Sequence, residues 1–201
     1  MINRRDLMIV IATSLGGVAL GTPSLRTLAG EVPTAVPSRE IFSAIEAQMI
    51  STLAEMIIPE TDTPGAIAAG VPGFLQMMVA DWYTDTEREI FFDGLAALDS
   101  YSMASFGKNF LLVSDAQRIA ALQAAEAQAA DYQSPMGGGF SAAMAKFVDE
   151  QSPFFTKIKE LTVIGYYSSE VGATEEMAYN PMPMRYQGDY DFSEIGRHWS
   201  Y

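Results

Sequence analysis

Residues 38–72, SREIFSAIEAQMISTLAEMIIPETDTPGAIAAGVP, decide the fold class. Apolar side chains recur there at positions 41, 42, 45, 49, 50, 53, 56 and 57. This is the spacing of an amphipathic α-helix with a wide apolar face. We therefore predict a helix over residues 39–58 with Ser38 as its N-cap. Pro59 ends this helix, because proline disfavours helical geometry at the residue before it.

A dense cluster of turn-forming residues follows the helix, Pro59-Glu60-Thr61-Asp62-Thr63-Pro64-Gly65. Its two prolines bracket side chains that prefer hydrogen bonds with the local backbone to helix formation. We expect Glu60 and Asp62 to tie down this turn. After it, Pro72 suits the first turn of a second helix that runs to about Tyr83.

Further helices are predicted by capping patterns and by apolar spacing. Thr84–Glu87 and Ser114–Gln117 open helices that end near Phe106 and Asp131. After the break at Gly137-Gly138-Gly139, a short helix is expected over 141–150. Ser152-Pro153 then starts a helix to about Ser169. Its predicted core face consists of Phe154, Phe155, Ile158, Leu161, Ile164 and Gly165. No stretch alternates with period two, so we predict an all-α domain of about six helices.

The N-terminus carries a twin-arginine pair, Arg4-Arg5, followed by an apolar run over 7–21. This pattern is typical of a bacterial Tat export signal. Two alternatives are a Sec signal with a basic n-region and a permanent membrane anchor, although a bilayer span needs roughly 20 strongly apolar residues. We assign 1–30 to the signal and leader and 31–38 to a linker. The Tat route exports folded proteins, and no cofactor motif follows, so the signal is expected to serve a partner.

Composition excludes several classes of function. The net charge is −13, and loss of residues 1–30, with three arginines and one aspartate, makes it −15. Such a chain is unsuited to nucleic acid or to anionic lipid. Cysteine is absent and His198 is the single histidine, which excludes disulfides, a thiol nucleophile, a haem-attachment motif and a His-rich metal site. We expect no catalytic, cofactor-binding or metal-binding residue on this chain.

The C-terminal tail, residues 179–201, differs from the helical domain predicted over 39–178. Its aromatic and methionine residues lack helical spacing, and Pro181 and Pro183 fix an extended, non-helical backbone. The tail lies either on its own helices or on another protein. The enrichment of Tyr, Met and Arg at interfaces favours another protein. The expected partner contacts are Tyr179, Asn180, Pro181, Met182, Pro183, Arg185, Tyr186 and Trp199.

Three features of this chain resemble the gluconate 2-dehydrogenase subunit 3 family. One is the turn from Ile58 to Pro72, one is the tail sequence 180–186 with 196–199, and one is the twin-arginine leader. Within the turn, the likeness is carried by Pro59, Asp62, Thr63, Pro64, Gly65, Gly70 and Pro72.

The resemblance implies a small, non-catalytic subunit of a periplasmic sugar or polyol dehydrogenase complex. It implies a large catalytic partner of the glucose–methanol–choline oxidoreductase type that carries FAD. That partner lacks an export signal and leaves the cell on the small subunit, which also supports its folding. Electrons then pass to a cytochrome c. The chain itself is expected in the periplasm, associated with the inner membrane through the complex or through an uncleaved leader.

Two other functions are compatible with the residues. The first is a stand-alone periplasmic enzyme that uses Glu60 and Asp62 as a general acid–base pair. The second is a free periplasmic binding module without a permanent partner. If the chain is a stand-alone enzyme, the purified chain should turn over sugar. If it is a free binding module, it should be a stable monomer.

Overall fold

The computed structural model describes residues 39–133, 148–180, 189 and 191–200. Its first helix, α1, spans Ala44–Ile57, so the predicted start near Arg39 is wrong. The Ser43 hydroxyl accepts from the Glu46 N–H, and the Glu46 carboxylate accepts from the Ser43 N–H at 2.7 Å. This capping box fixes the start of α1. Ser38, the predicted N-cap, lies outside the described residues.

The next two helices follow the prediction closely. Helix α2 spans Val71–Met77, has Pro72 in its first turn and continues into a π-helical turn over Met78–Trp82. Helix α3 spans Asp85–Phe106, and Thr84 and Glu87 form its capping box. It ends at Gly107, whose φ of 70° is in the left-handed region that glycine adopts readily.

A 3₁₀ turn over Phe110–Leu112 leads into α4, Asp115–Ala130. At the start of α4, the Ser114 N–H donates to Gln117 Oε1 at 3.0 Å, as the capping pattern predicts. Helix α5 spans Phe154–Tyr167. The short helix predicted over 141–150 falls mostly outside the described residues, as does the triple-glycine break, and residues 148–150 are not helical.

Helix α5 lies at the centre of the core and contacts α1, α2, α3 and α4. Its predicted core face is confirmed at four positions and wrong at Ile164, which is 48 % exposed. Close approach to α2 requires Gly165, because a Cβ there would lie 2.6 Å from the Phe74 ring. The fully buried aromatic side chains of this core are Phe91, Phe110 and Tyr166.

The tail contains a last helix, α6, of four residues, Phe192–Ile195. The prediction of a wholly non-helical tail is therefore wrong at this point. Asp191 caps α6, since its carboxylate accepts from the Ser193 N–H at 2.9 Å. Over the described ranges the chain has no β-strand, only an isolated parallel bridge between Ala178 and Trp199. The all-α prediction is confirmed for this part of the chain.

Candidate functional site

The segment Ile58–Pro72, which we call the turn motif, is held by backbone hydrogen bonds. The Ala66 N–H donates to the Ile58 carbonyl at 2.9 Å, and the Val71 N–H donates to the Ala66 carbonyl at 3.0 Å. The buried Tyr166 of α5 also donates its hydroxyl to the Pro64 carbonyl at 2.8 Å. The turn motif is therefore fixed to the core helix as well as to itself.

Glu55, in the last turn of α1, is the carboxylate that ties the turn motif down. Its Oε1 accepts from the Glu60 N–H at 3.0 Å and its Oε2 accepts from the Ile67 N–H at 2.8 Å. The expectation that Glu60 and Asp62 do this is wrong. Both side chains are exposed, and Asp62 accepts a hydrogen bond from the neighbouring Thr61 hydroxyl at 3.1 Å. A Cβ at Gly65 would collide with the Glu55 carboxylate, which explains the glycine.

Replacing Glu55 with glutamine should destabilise the protein by about 1–2 kcal/mol. The amide keeps one acceptor oxygen, so one of the two backbone N–H groups faces an NH₂ group and loses its partner. Urea unfolding would measure the loss of free energy. Glu89→Gln, at an exposed position of α3, is the matched control and should stay within about 0.5 kcal/mol. Equal stability of the two variants would show that Glu55 does not hold the turn motif.

The turn motif and the C-terminal segment meet at a second π-helical turn, Gly172–Glu176. The Thr63 hydroxyl donates to Glu176 Oε2 at 2.8 Å. From the other side, Arg197 Nη1 donates to the Glu175 carbonyl at 2.6 Å. The turn motif and the tail are thus both hydrogen-bonded to the same short segment.

The C-terminal end of the tail is hydrogen-bonded to Ala178, the residue just before the tail begins. The Ala178 N–H donates to the His198 carbonyl at 2.7 Å, and the Ser200 N–H donates to the Ala178 carbonyl at 2.9 Å. Tyr179, Asn180 and Trp199 are exposed beside this bridge. The other expected partner contacts, Pro181, Met182, Pro183, Arg185 and Tyr186, lie outside the described residues, as do Arg4 and Arg5.

The returning tail forms a cleft of about 460 Å³ against the end of α5, which we call the tail cleft. It is lined by Tyr167, Glu176, Met177, Phe192, Gly196, Arg197 and His198. The rings of Phe192 and His198 lie 5.3 Å apart between their centroids. Burial raises the pKa of the Tyr167 hydroxyl, and the Glu176 carboxylate adds to this rise.

Large apolar side chains are exposed around the tail cleft. Phe192, Tyr179 and Trp199 of the tail are 55 %, 57 % and 45 % exposed. Tyr167, which lines the cleft from the end of α5, is 41 % exposed. Exposed apolar side chains that cluster in this way are typical of protein-binding surfaces.

Sequence reasoning missed a buried ion pair. Lys157 of α5 is fully buried, and its Nζ lies 3.1 Å from Glu87 Oε1 and 2.8 Å from the Asp149 carbonyl oxygen. The ammonium also lies 5.2 Å from the centroid of the Tyr83 ring. The pair joins the start of α3 to α5. In sequence, Lys157 is one lysine on a helix, and nothing local marks it as buried.

Glu87 of this pair and two neighbouring groups, Tyr83 and Glu160, have shifted pKa values. Burial opposes ionisation of Glu87, but hydrogen bonds with the Thr84 N–H and Lys157 outweigh it and lower the Glu87 pKa. Burial raises the pKa of Tyr83, and the charge of Glu87 adds to this. Burial also raises the pKa of Glu160, against the opposing charge of Lys157. The cluster therefore favours a charged Glu87 and a neutral Tyr83.

Glu60 and Asp62 line neither the tail cleft nor two further clefts among the described helices. One of these two lies between α1, α4 and α5, has a volume of about 210 Å³ and has mostly apolar walls. The other lies against Phe154, between α3, α4 and α5. Among the described residues, no three His, Cys, Asp or Glu side chains are grouped as metal ligands would be. In the same ranges, no helix has the length and hydropathy that a membrane crossing requires.

The sequence model of a family described as gluconate 2-dehydrogenase subunit 3 matches residues 44–184, which is more than half of the chain. The matched range includes the whole turn motif and α1 to α5. No curated protein and no solved structure gives a significant match.

Proposed function

The chain belongs to the gluconate 2-dehydrogenase subunit 3 family, and we propose that it is the non-catalytic small subunit of a sugar or polyol dehydrogenase complex. Its large partner binds FAD and is of the glucose–methanol–choline oxidoreductase type. The small subunit supports folding of this partner, carries it across the inner membrane and stays bound to it in the periplasm.

One observation supports a subunit role most directly, namely the convergence of the turn motif and the tail. The Thr63–Glu176 and Arg197–Glu175 hydrogen bonds hold both segments against the same π-helical turn. Aromatic side chains remain exposed around this point. A preorganised surface with exposed Tyr, Trp and Phe suits a permanent partner, because aromatic anchors provide most of the binding energy in protein interfaces.

Export is the second part of the proposal. Arg4 and Arg5 recruit the Tat translocase, and the partner travels as a folded passenger of this chain. This accounts for a twin-arginine leader on a chain whose described residues form no grouped metal ligands. FAD is bound by the partner, and electrons leave the complex through a cytochrome c. The sugar and the oxidised carbon are set by the pocket of the partner.

Co-purification tests the subunit role. The chain, with an affinity tag, is expressed in its native host, and the bound proteins are identified by mass spectrometry while the visible spectrum is recorded. We expect a larger partner with flavin absorption. A colourless chain that purifies alone as a stable monomer would overturn the proposal and favour the free binding module. Sugar turnover by the chain alone, abolished by Glu60→Gln, would favour the enzyme.

Deleting the chain after Ala178 should abolish co-purification of the partner. The deletion removes Tyr179, Phe192 and Trp199 together with one wall of the tail cleft, so both the exposed aromatic surface and its support are lost. A pull-down with quantified flavin measures the effect, and circular dichroism of the truncated chain checks that α1 to α5 still form. A folded truncated chain that retains the partner would show that the tail is not its binding element.

A further inference from the structure

The tail cleft has features that suit a particular kind of side chain. Three rings line it, those of Tyr167, Phe192 and His198, and Met177 adds a further apolar wall. Glu176 contributes a carboxylate, of which Oε2 is engaged by Thr63. A cleft that combines aromatic rings with a carboxylate is a suitable environment for an organic cation.

The chain segment that forms the tail cleft is strongly acidic. The described residues between 170 and 200 include six acids and a single arginine. The acids are Glu170, Glu175, Glu176, Asp189, Asp191 and Glu194. Arg197, which lines the cleft, already donates through Nη1 to the Glu175 carbonyl. The turn motif is hydrogen-bonded to Glu176 through Thr63. It carries two more negative charges, on the exposed side chains of Glu60 and Asp62.

We propose that the tail cleft binds an arginine side chain of the partner subunit, with the guanidinium against Glu176 and the rings of Tyr167 and Phe192. This inference rests on the proposed function for the source of the arginine. Arginine suits this cleft better than lysine, since its planar group stacks on aromatic rings and pairs with a carboxylate through two hydrogen bonds. The cleft thereby adds a specific charged contact to an otherwise apolar interface.

Glu176→Gln is the test variant, because the amide oxygen still accepts from Thr63 and the cleft keeps its shape. Glu170→Gln is the matched control, with the same loss of charge at an exposed position six residues earlier. With the purified partner, we expect Glu176→Gln to raise the dissociation constant by at least about tenfold and to reduce its dependence on salt. Glu170→Gln, which removes only a distant charge, should have a much smaller effect on both quantities. Equal effects of the two variants would overturn the inference.

A second measurement does not need the partner. His198 is the single histidine of the chain, so its ring resonance in the full-length protein is an isolated reporter inside the tail cleft. Titration with N-acetyl-arginine methylamide should shift this resonance, and the uncharged citrulline analogue should not. The shift should disappear in Glu176→Gln and remain in Glu170→Gln. A response to citrulline or to N-acetyl-aspartate methylamide that equals the arginine response would show that the cleft does not select a cation.

The two measurements separate failure of this inference from failure of the proposed function. If the partner co-purifies but Glu176→Gln binds it as the wild type does, the subunit role stands and the arginine site is wrong. If no partner co-purifies, the subunit role fails, and the His198 titration still decides whether the cleft selects a guanidinium.

Discussion

Replacing both Arg4 and Arg5 with lysine should leave the dehydrogenase activity of the partner in the cytoplasm. We expect periplasmic activity to fall by at least about tenfold, because lysine keeps the charge but lacks the planar, five-donor guanidinium that bidentate recognition requires. The partner is expected to depend on this leader for export, so the loss should affect the partner and the small subunit equally. Activity and flavin content of periplasmic and cytoplasmic fractions measure the effect.

Arg26→Lys is the matched control for this experiment. It makes the same chemical change in the same leader, outside the twin-arginine pair, and should leave the distribution of activity unchanged. Periplasmic activity that persists in the Arg4→Lys, Arg5→Lys variant would contradict the export role. Loss of activity from both compartments would instead indicate that the variant prevents assembly.

Replacing Lys157 with methionine should produce the largest loss of stability among single substitutions proposed for this chain, about 3 kcal/mol. Lys157 is fully buried, and its removal leaves the Glu87 carboxylate, which is 19 % exposed, without its counter-charge. Removing one member of a buried ion pair typically costs about 3–5 kcal/mol. The low end applies here, because Glu87 keeps some contact with water and its hydrogen bond with the Thr84 N–H. Chemical unfolding measures the change.

Lys159→Met is the control, two residues further along α5. Lys159 is 54 % exposed, and its partner Glu126 lies 3.7 Å away and is equally exposed. Exposed pairs of this kind contribute about 0–1 kcal/mol. The double variant Glu87→Gln, Lys157→Met should recover part of the loss, because position 87 then carries no unpaired charge and glutamine still completes the capping box. Equal stability of the Lys157 and Lys159 variants would show that the buried pair is not stabilising.

The pH dependence of stability provides a second signature of this pair. The Glu87 pKa is lower in the folded chain than its ordinary value of 4.5. The Glu87 carboxylate therefore contributes its full stabilisation above pH 4.5, and this stabilisation is lost as the pH falls through the lowered pKa of the folded state. Glu160 acts in the opposite direction, because its raised pKa makes protonation favour the folded state. The Lys157→Met variant should lose the share of this acid dependence that comes from Lys157 and keep the share that comes from the Thr84 N–H.

Several elements could be predicted from local sequence because their determinants are local. The starts of α3 and α4 follow from Thr84 with Glu87 and Ser114 with Gln117, which lie three residues apart and satisfy each other's backbone groups. The end of α1 follows from Pro59. The predicted start of α1 is too early, because apolar spacing continues upstream of Ser43. The capping box of Ser43 and Glu46 instead starts the helix at Ala44. Arg39 instead binds the Ala80 carbonyl, at 2.8 Å from Nη2.

The candidate site could be predicted only in part. The turn motif and the tail were visible as proline-rich segments without helical spacing. Glu55 was not recognised as the residue that holds the turn motif, since a carboxylate in the last turn of a helix is ordinarily unfavourable. Its two hydrogen bonds with the Glu60 and Ile67 N–H groups offset that cost. These bonds depend on how the chain turns back after α1.

The sequence by itself determined the all-α class, the caps of α3 and α4, the position of Pro72 in α2 and the membership of a family of dehydrogenase subunits. Each of these depends on neighbouring residues or on the order of residues along the chain. Only the tertiary structure decided that Thr63 meets Glu176, that Lys157 is buried against Glu87, and that the tail closes a cleft over Tyr167. These pairs join residues 113, 70 and about 25 positions apart. Such contacts arise from the packing of α5 among the other helices, which no local pattern encodes.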